Sequence, residues 1–408
     1  MRGLFSRFLC CGLLALLGML GLRPAARAQA TISGEVRDSV TQAPLAFASV
    51  FLANTTRGAT TDAQGRFSLP GVPAGTYDLV CSYLGYRLAR QSVRVGTAPV
   101  VAQLRPAPLS QQLAGVVIRP HRNKPEDYQR FVELFLGSTA FSRQCRIRNP
   151  DGVRVAFDAQ TGELTAEAAD YLQVDNAALG YRIRFYGLHF QINFREQVLS
   201  YYAWPVFEEL PTRSGAKRAH WAANRLAAYR GSLTHFLRSV RTGQLAAEGF
   251  VANRLRRVPN MRWVRADSLL RLERLRHAHE VWHPADSLLQ QLREPPQYAY
   301  LYTRPLPADS LRRPGPGGAP VLRFRDLVQV TYQREKPDPA YTLPHRLGEP
   351  AVRPEQQISV LHLLQPAVEI TPTGQLVDPL AVFTEGYWGF EKIGELLPVD
   401  YEPPTAQP

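Results

Sequence analysis

Cysteine is scarce in this chain: four residues among 408, of which Cys10 and Cys11 lie in the first 28 and only Cys81 and Cys145 beyond. At most one bridge can form from that remaining pair. Cys81 shares a two-residue strand period with Tyr77, Leu79 and Tyr83, which predicts a buried free thiol, with a Cys81–Cys145 disulfide as the alternative. Lysine is scarcer than its charge class suggests, since Lys124, Lys217, Lys336 and Lys392 are the only lysines among 48 basic residues. The arginines are scattered over the chain and not gathered with stacking aromatics, so a net charge of +13 does not point to nucleic acid. Four of those positive charges, Arg2, Arg7, Arg23 and Arg27, fall in the first 28 residues, leaving +9, compatible with an anionic envelope partner such as an acidic glycan. Long apolar runs are also lacking. Phe8 to Leu22 is the exception, and at about 15 residues it falls short of the ~20 that a spanning helix needs. That excludes an integral helical role.

What is present begins with that run. Arg2 and Arg7 precede it and Ala26-Arg27-Ala28 follows, the pattern of a secretory signal over residues 1–28 cleaved before Gln29. The compartment expected is the periplasm or the outer-membrane surface, where a disulfide is permitted.

Residues 29–106 read as short strands broken by turn signals: Thr31 to Arg37, Ala46 to Ala53, Gly58 to Thr61, Gly65 to Leu69, Gly75 to Tyr83, Leu88 to Val95 and Val100 to Leu104. Asp62-Ala63-Gln64-Gly65 is a turn in which Asp bonds its own backbone and Gly takes the positive φ. Pro73-Ala74-Gly75-Thr76-Tyr77 is a second corner. Together with Gly34 to Val36, Pro44 to Val50, Thr60 to Phe67 and Leu84-Gly85-Tyr86, these segments resemble the carboxypeptidase regulatory-like domain. The resemblance implies a transthyretin-like, seven-stranded all-β sandwich used as a structural or carbohydrate-contacting module. In the enzymes that gave the family its name the sandwich follows a zinc peptidase domain, whereas here it leads the chain.

Residues 107–124 read as a linker or edge strand. Within them, Leu109 to Ile118 looks like the connector to the plug of TonB-dependent receptors, but about 290 further residues are too few for a plug and a barrel. Residues 125–400 are expected to form an α+β domain, followed by a disordered tail over 401–408. Glu126 to Leu136 has helical spacing in Tyr128, Phe131, Val132, Phe135 and Leu136, and 140–202 is strand-rich. Helices are expected over Trp221 to Arg241 and Ala266 to His283, strands over Val321 to Gln333 and Gln356 to Gln365, and a Pro/Gly-rich flexible loop over Arg304 to Pro320. Arg148-Asn149-Pro150, Tyr229 to Arg238, Gly386-Tyr387-Trp388 and Leu397 to Tyr401 resemble the body of uncharacterised envelope proteins that carry the same sandwich, and no activity follows from that likeness.

Three constellations bear on chemistry. His279-Glu280-Val281-Trp282-His283 fits H-E-x-x-H and resembles the zincin motif, which would make His279 and His283 zinc ligands and Glu280 the base. Pro284 follows at once, and Asp286 and Leu289 stand where an extended motif has Gly and His. The overlapping His277 and Glu280 give H-x-x-E, with His345 or His362 as nominal third ligand. Tyr229, Ser232, His235 and Arg238 recur at three-residue steps, and a buried polar tie is expected there in preference to a Ser–His nucleophile pair. Tyr201, Tyr202, Trp204 and Trp388 are the candidate glycan platform. The reading that results is an exported, non-enzymatic binding or scaffold module with a glycan or envelope-protein partner and no cofactor. Its rivals are a zinc-dependent peptidase and a component of an outer-membrane glycan-uptake system.

Overall fold

The computed structural model describes residues 29–109, 123–196, 198–277, 283–343 and 351–404. The expected signal at 1–28, most of the 107–124 linker with its connector motif, and the last four residues lie outside them. The chain divides into one unit of Met1–Val50 and Ala59–Leu109 and a second of Phe51–Gly58 and Ser110–Pro408.

The first unit is built on β1 (Gln29–Val36), β2 (Ser49–Leu52), β3 (Gly58–Thr60), β4 (Arg66–Pro73), β5 (Gly75–Ser82), β6 (Ala89–Val95) and β7 (Val100–Leu104). They form a three-stranded sheet in the order β4-β1-β7 and a four-stranded sheet in the order β3-β2-β5-β6. Ile32 and Val36 of β1, Phe67 and Leu69 of β4, Tyr77, Leu79 and Cys81 of β5, and Ala102 and Leu104 of β7 are buried, as the period of two along each strand requires. The turn chemistry is the one the sequence predicts. The Asp62 carboxylate accepts from the backbone of Gln64 and Arg66, and Gly65 takes φ 75°. Tyr77 Oη donates to Pro73 O at 3.1 Å, which gives the Pro-x-Gly-x-Tyr corner its fixed ends. Gly34 has no such turn. A Cβ there would lie 1.8 Å from Ala102 O, so the side chain is excluded by the close parallel pairing of β1 with β7. Tyr86 Oη donates to Asp38 Oδ2 at 2.7 Å, while the Val40 and Thr41 amides donate to Oδ1. These bonds hold the Asp38 carboxyl below its usual range, the Thr41 amide most strongly.

The second unit is mostly β. Helix α1 (Pro125–Leu136) opens on Pro at its first turn, where a missing N–H costs nothing. It lies on a sheet of β8 (Cys145–Ile147), β9 (Val153–Asp158), β10 (Glu163–Ala168), β11 (Tyr171–Asn176), β12 (Tyr181–Asn193) and β13 (Val198–Glu209), ordered β8-β11-β12-β10-β9 with β13 on β12. Phe131 and Phe135 of α1 meet Phe185 and Phe190 of β12 edge to face at 5.2–6.1 Å.

Helices α2 (Gly215–Tyr229) and α3 (Leu233–Thr242) stand where one helix over Trp221 to Arg241 is expected. Gly231, at φ 76°, breaks it, and Ser232 caps the second piece by accepting the His235 N–H. Beyond them run β14 (Phe250–Pro259), α4 (Met261–Arg276), α5 (Asp286–Leu292), β15 (Gln297–Pro305), α6 (Ala308–Leu311), β16 (Arg312–Pro314), β17 (Pro320–Leu322), β18 (Leu327–Tyr332), β19 (Gln357–Leu363), β20 (Val368–Glu369), β21 (Val382–Gly386) and α7 (Tyr387–Phe390). One sheet has the order β15-β14-β18-β19-β21 and another β16-β17-β20. Phe236, Leu237 and Val240 of α3 share a core with Phe250, Val328, Val330, Tyr332 and Leu361.

Two expectations are corrected here. The Pro/Gly-rich stretch is not a plain loop. It contains α6 and an antiparallel β16–β17 pairing turned through Gly317 and Gly318, both at positive φ, and Leu311 within it is fully buried. The single strand expected over Val321 to Gln333 is two, β17 and β18, which belong to different sheets, with Asp326 at φ 58° between them.

Candidate functional site

The helix expected over Ala266 to His283 starts and stops earlier than its sequence suggests. Asn260 caps it by accepting the Arg262 and Trp263 amides, six residues ahead of the expected start at Ala266, and it closes at Arg276 with His277 as C-cap. His279 and Glu280 lie outside the described residues, and so does His345. His283 is exposed and stands beyond the end of α4. His362 is engaged elsewhere, through Nε2 with Glu385 Oε1. Among the described residues no three His, Cys, Asp or Glu side chains converge as a metal would require.

The Tyr229–Arg238 motif is not one helical face. Tyr229 ends α2 and Ser232 caps α3, so the Ser232 hydroxyl accepts the His235 backbone N–H at 3.2 Å and makes no bond to its imidazole. His235 is buried. Its Nδ1 accepts from the Gly231 amide at 3.2 Å, and Nε2 faces Glu248 Oε2 at 3.1 Å. Burial draws its pKa below the usual histidine value against the pull of Glu248. Arg238 gives its guanidinium to the carbonyls of Thr373, Val399 and Tyr401. These are polar ties between segments, with no nucleophile presented.

Cys81 and Cys145 are free and buried, and burial pushes both thiols up to about 12. Neither is a thiolate at neutral pH. Of the expected aromatic platform, Trp388 belongs to the core: it is buried against Phe236, and its indole N–H donates to Gly231 O at 2.7 Å. Tyr201 and Tyr202 of β13 are exposed, yet Tyr201 rests on Phe135 and Tyr202 stacks on His189 at 5.2 Å. Trp204 is half-buried.

The aromatic row that the structure does present lies on β15. All nine of its residues are exposed, and it forms the edge of its sheet. The period of two puts Tyr298, Tyr300 and Tyr302 on one face, each 42–54% exposed. Pairing with β14 sets Tyr298 opposite Val258 and Tyr300 opposite Arg256. Arg254 lies 4.9 Å over the Tyr302 ring and is neutralised by Asp326. Arg256 is exposed and has no carboxylate partner among the described residues. A shallow depression of about 460 Å³ is lined by Arg256, Val258, Tyr300, Leu301 and Tyr302. This is the same sheet face that α3 covers at Phe250 and Ala252, continued past the helix and left open. The alternation Tyr-Ala-Tyr-Leu-Tyr at 298–302 was the sequence signal for it.

No helix among the described residues is long and apolar enough to cross a membrane. No curated protein matches this chain. Among solved structures it is similar to the pilus 2b backbone protein of group B streptococcus, at 23% identity over 20% of this chain and 42% of that one, with a TM-score of 0.19. It is also similar to the cohesin–X-dockerin complex of Acetivibrio cellulolyticus, at 24% identity over 27% and 76% with a TM-score of 0.18. A Bacteroides fragilis protein of unknown function is similar at 10% identity over 88% and 94%, with a TM-score of 0.18. The chain spans less than half the length of the pilus protein, and likenesses this distant carry no functional argument. The sandwich expected from the sequence has its counterpart in a family model: residues 32–118 of this chain match the CarboxypepD_reg-like domain.

Proposed function

We propose that the protein is an exported, non-enzymatic binding module of the cell envelope, and that it holds an acidic glycan along the open face of β14 and β15. The observation that carries this reading is the row Tyr298, Tyr300 and Tyr302 beside Arg256. A sugar ring offers an apolar C–H face to an aromatic ring, and successive same-face tyrosines are about 7 Å apart on a strand, a ladder suited to an extended chain. Arg256, with no carboxylate partner among the described residues, supplies a planar fork for a sugar carboxylate or sulfate. The basic excess that remains once the first 28 residues are set aside and the secretory pattern of those residues agree with such a partner.

Calorimetric titration with polygalacturonate, and with neutral dextran as control, tests the reading. Saturable binding of the acidic polymer is expected, weakened about tenfold in Tyr300→Ala and in Arg256→Gln. Both side chains are exposed, so the unfolding midpoint should hold. Equal affinity of both variants and the parent, or no binding by the parent, would sink the proposal.

A further inference from the structure

We infer that the cleft beside the β16–β17 hairpin is a second binding site, specific for a phosphoryl group. The cleft, of about 590 Å³, is lined by Arg241 from the end of α3, by Arg312 and Arg313 of β16, and by Asp309, Gly318 and Pro320. Three guanidinium groups and one carboxylate share it, so the site carries a surplus of two positive charges before any ligand enters.

The protein uses only part of their bonding capacity. Each guanidinium has five N–H donors. Arg241 gives one to Ile370 O, Arg313 gives one to Asp309 O, and Arg312 gives Nε to Asp309 Oδ1 at 2.9 Å and Nη1 to Arg241 O. Those bonds fix the three forks in place and leave most of the donors unspent. Neither Arg241 nor Arg313 forms an ion pair among the described residues, although the Glu369 charge acts on Arg241 from nearby. Burial draws the Arg241 pKa below its ordinary value, a cost that a bound anion would offset.

The fold makes the arrangement rigid. Leu311, fully buried, pins the start of β16, and Gly315 is packed so closely that a Cβ would meet Val321 at 2.5 Å. A carboxylate brings one charge and two oxygens. A phosphomonoester brings close to two charges and three terminal oxygens, which suits a cleft lined by three guanidinium groups better.

The phosphoryl group could belong to a soluble ester or to a lipid headgroup, and the test separates them. Isothermal titration with inorganic phosphate and pyrophosphate covers the first source. Co-sedimentation with phosphatidylcholine vesicles, with and without phosphatidic acid, covers the second. The variants are Arg313→Gln, whose side chain makes a single bond, and Arg312→Gln, checked for folding by circular dichroism. Saturable binding in either arm, weakened at least about tenfold in both variants, supports the site. Binding to soluble phosphate marks a soluble ester, and binding to phosphatidic acid vesicles alone marks a headgroup. No binding in either arm overturns the inference, as does vesicle binding that the variants leave unchanged, which would reflect net charge only. Because Arg312 and Arg313 lie outside the tyrosine row, loss of phosphate binding with polygalacturonate binding intact keeps this site distinct from the glycan face.

Discussion

Arg257 grips Glu385 through two parallel N–H···O bonds, both of 2.8 Å, joining β14 to β21 across a sheet in which β18 and β19 lie between them. His362 bonds the same carboxylate at Oε1, so one acid ties three strands. The Arg257 hydrogen bonds are the main reason that Glu385 titrates below 4.5. A lowered carboxylate contributes stability above the unfolded-state pKa and loses it as pH falls through the folded value.

Arg257→Ala should therefore destabilise the second unit by about 1–3 kcal/mol at pH 7, the range for charge-assisted bonds at a half-buried site. The deficit should shrink as the pH falls through the lowered folded-state value of Glu385 and the carboxyl takes up its proton in parent and variant alike. Urea midpoints across that range check it. A deficit independent of pH would assign the loss to packing of the arginine stem.

Gly231 is expected to be the least replaceable glycine at a helix break. Its φ of 76° is left-handed, and a Cβ would stand 2.2 Å from Gln357 Oε1 and 2.9 Å from Tyr332 Cδ1. Its N–H donates to His235 and its carbonyl accepts from Trp388, so the backbone cannot turn away. Gly231→Ala should cost about 2 kcal/mol or more through strain and overpacking. Gly243→Ala, at the αL cap of α3 with only the tip of Arg312 nearby, should cost about 1 kcal/mol. Thermal unfolding of the two variants side by side would show the gap, and equal losses would refute the packing argument.

Local chemistry was legible in the sequence, and long-range packing was not. The Asp62–Gly65 turn, the Pro73–Tyr77 corner and the Phe131/Phe135 face of α1 are set by residues a few positions apart, and each took its expected form. The burial of Trp388 is not legible in the sequence, because an aromatic beside a glycine and a tyrosine carries no mark of it, whereas its indole N–H is satisfied by a carbonyl 157 residues away in sequence. The helix break at Gly231 was missed because an apolar stripe runs unbroken through both α2 and α3, and only the Ser232 cap and the glycine φ reveal the division. Asp38 went unnoticed for the same reason, since Tyr86 is 48 residues distant. The tyrosine row was written plainly as alternation at 298–302, yet alternation does not say which face a neighbouring helix leaves uncovered.

The H-E-x-x-H motif yields a prediction about metal content. His279 and His283 come after α4, which closes at Arg276 with His277 as its C-cap, and Pro284 biases His283 away from helical geometry. Elemental analysis of the purified protein is expected to find zinc well below one equivalent, unchanged in His279→Ala. One full equivalent that the variant loses would restore the peptidase reading.

Glu395 should contribute a pH dependence of its own, beside Glu391, whose carboxyl burial also raises well above the ordinary range. The Glu395 carboxyl is enclosed beside the hydroxyl of Thr139, which bonds Oε1, while the Lys392 amide reaches Oε2 at 3.3 Å. Burial outweighs both bonds and pushes its pKa from 4.5 to about 7, with the Asp338 charge adding to the rise. Between those values the folded chain keeps a proton that the unfolded chain has released, so raising the pH across this window favours unfolding. A shift of that size corresponds to at most about 3 kcal/mol, lost by pH 8. Glu395→Gln keeps an oxygen to accept from Thr139 and removes the titration. The variant should match the parent near pH 4.5 and exceed it by about 1–3 kcal/mol at pH 8, its stability profile flattened over the interval. Denaturant unfolding at half-unit steps of pH measures this directly, and parallel profiles for the two proteins would mean that Glu395 is ionised in the folded state throughout.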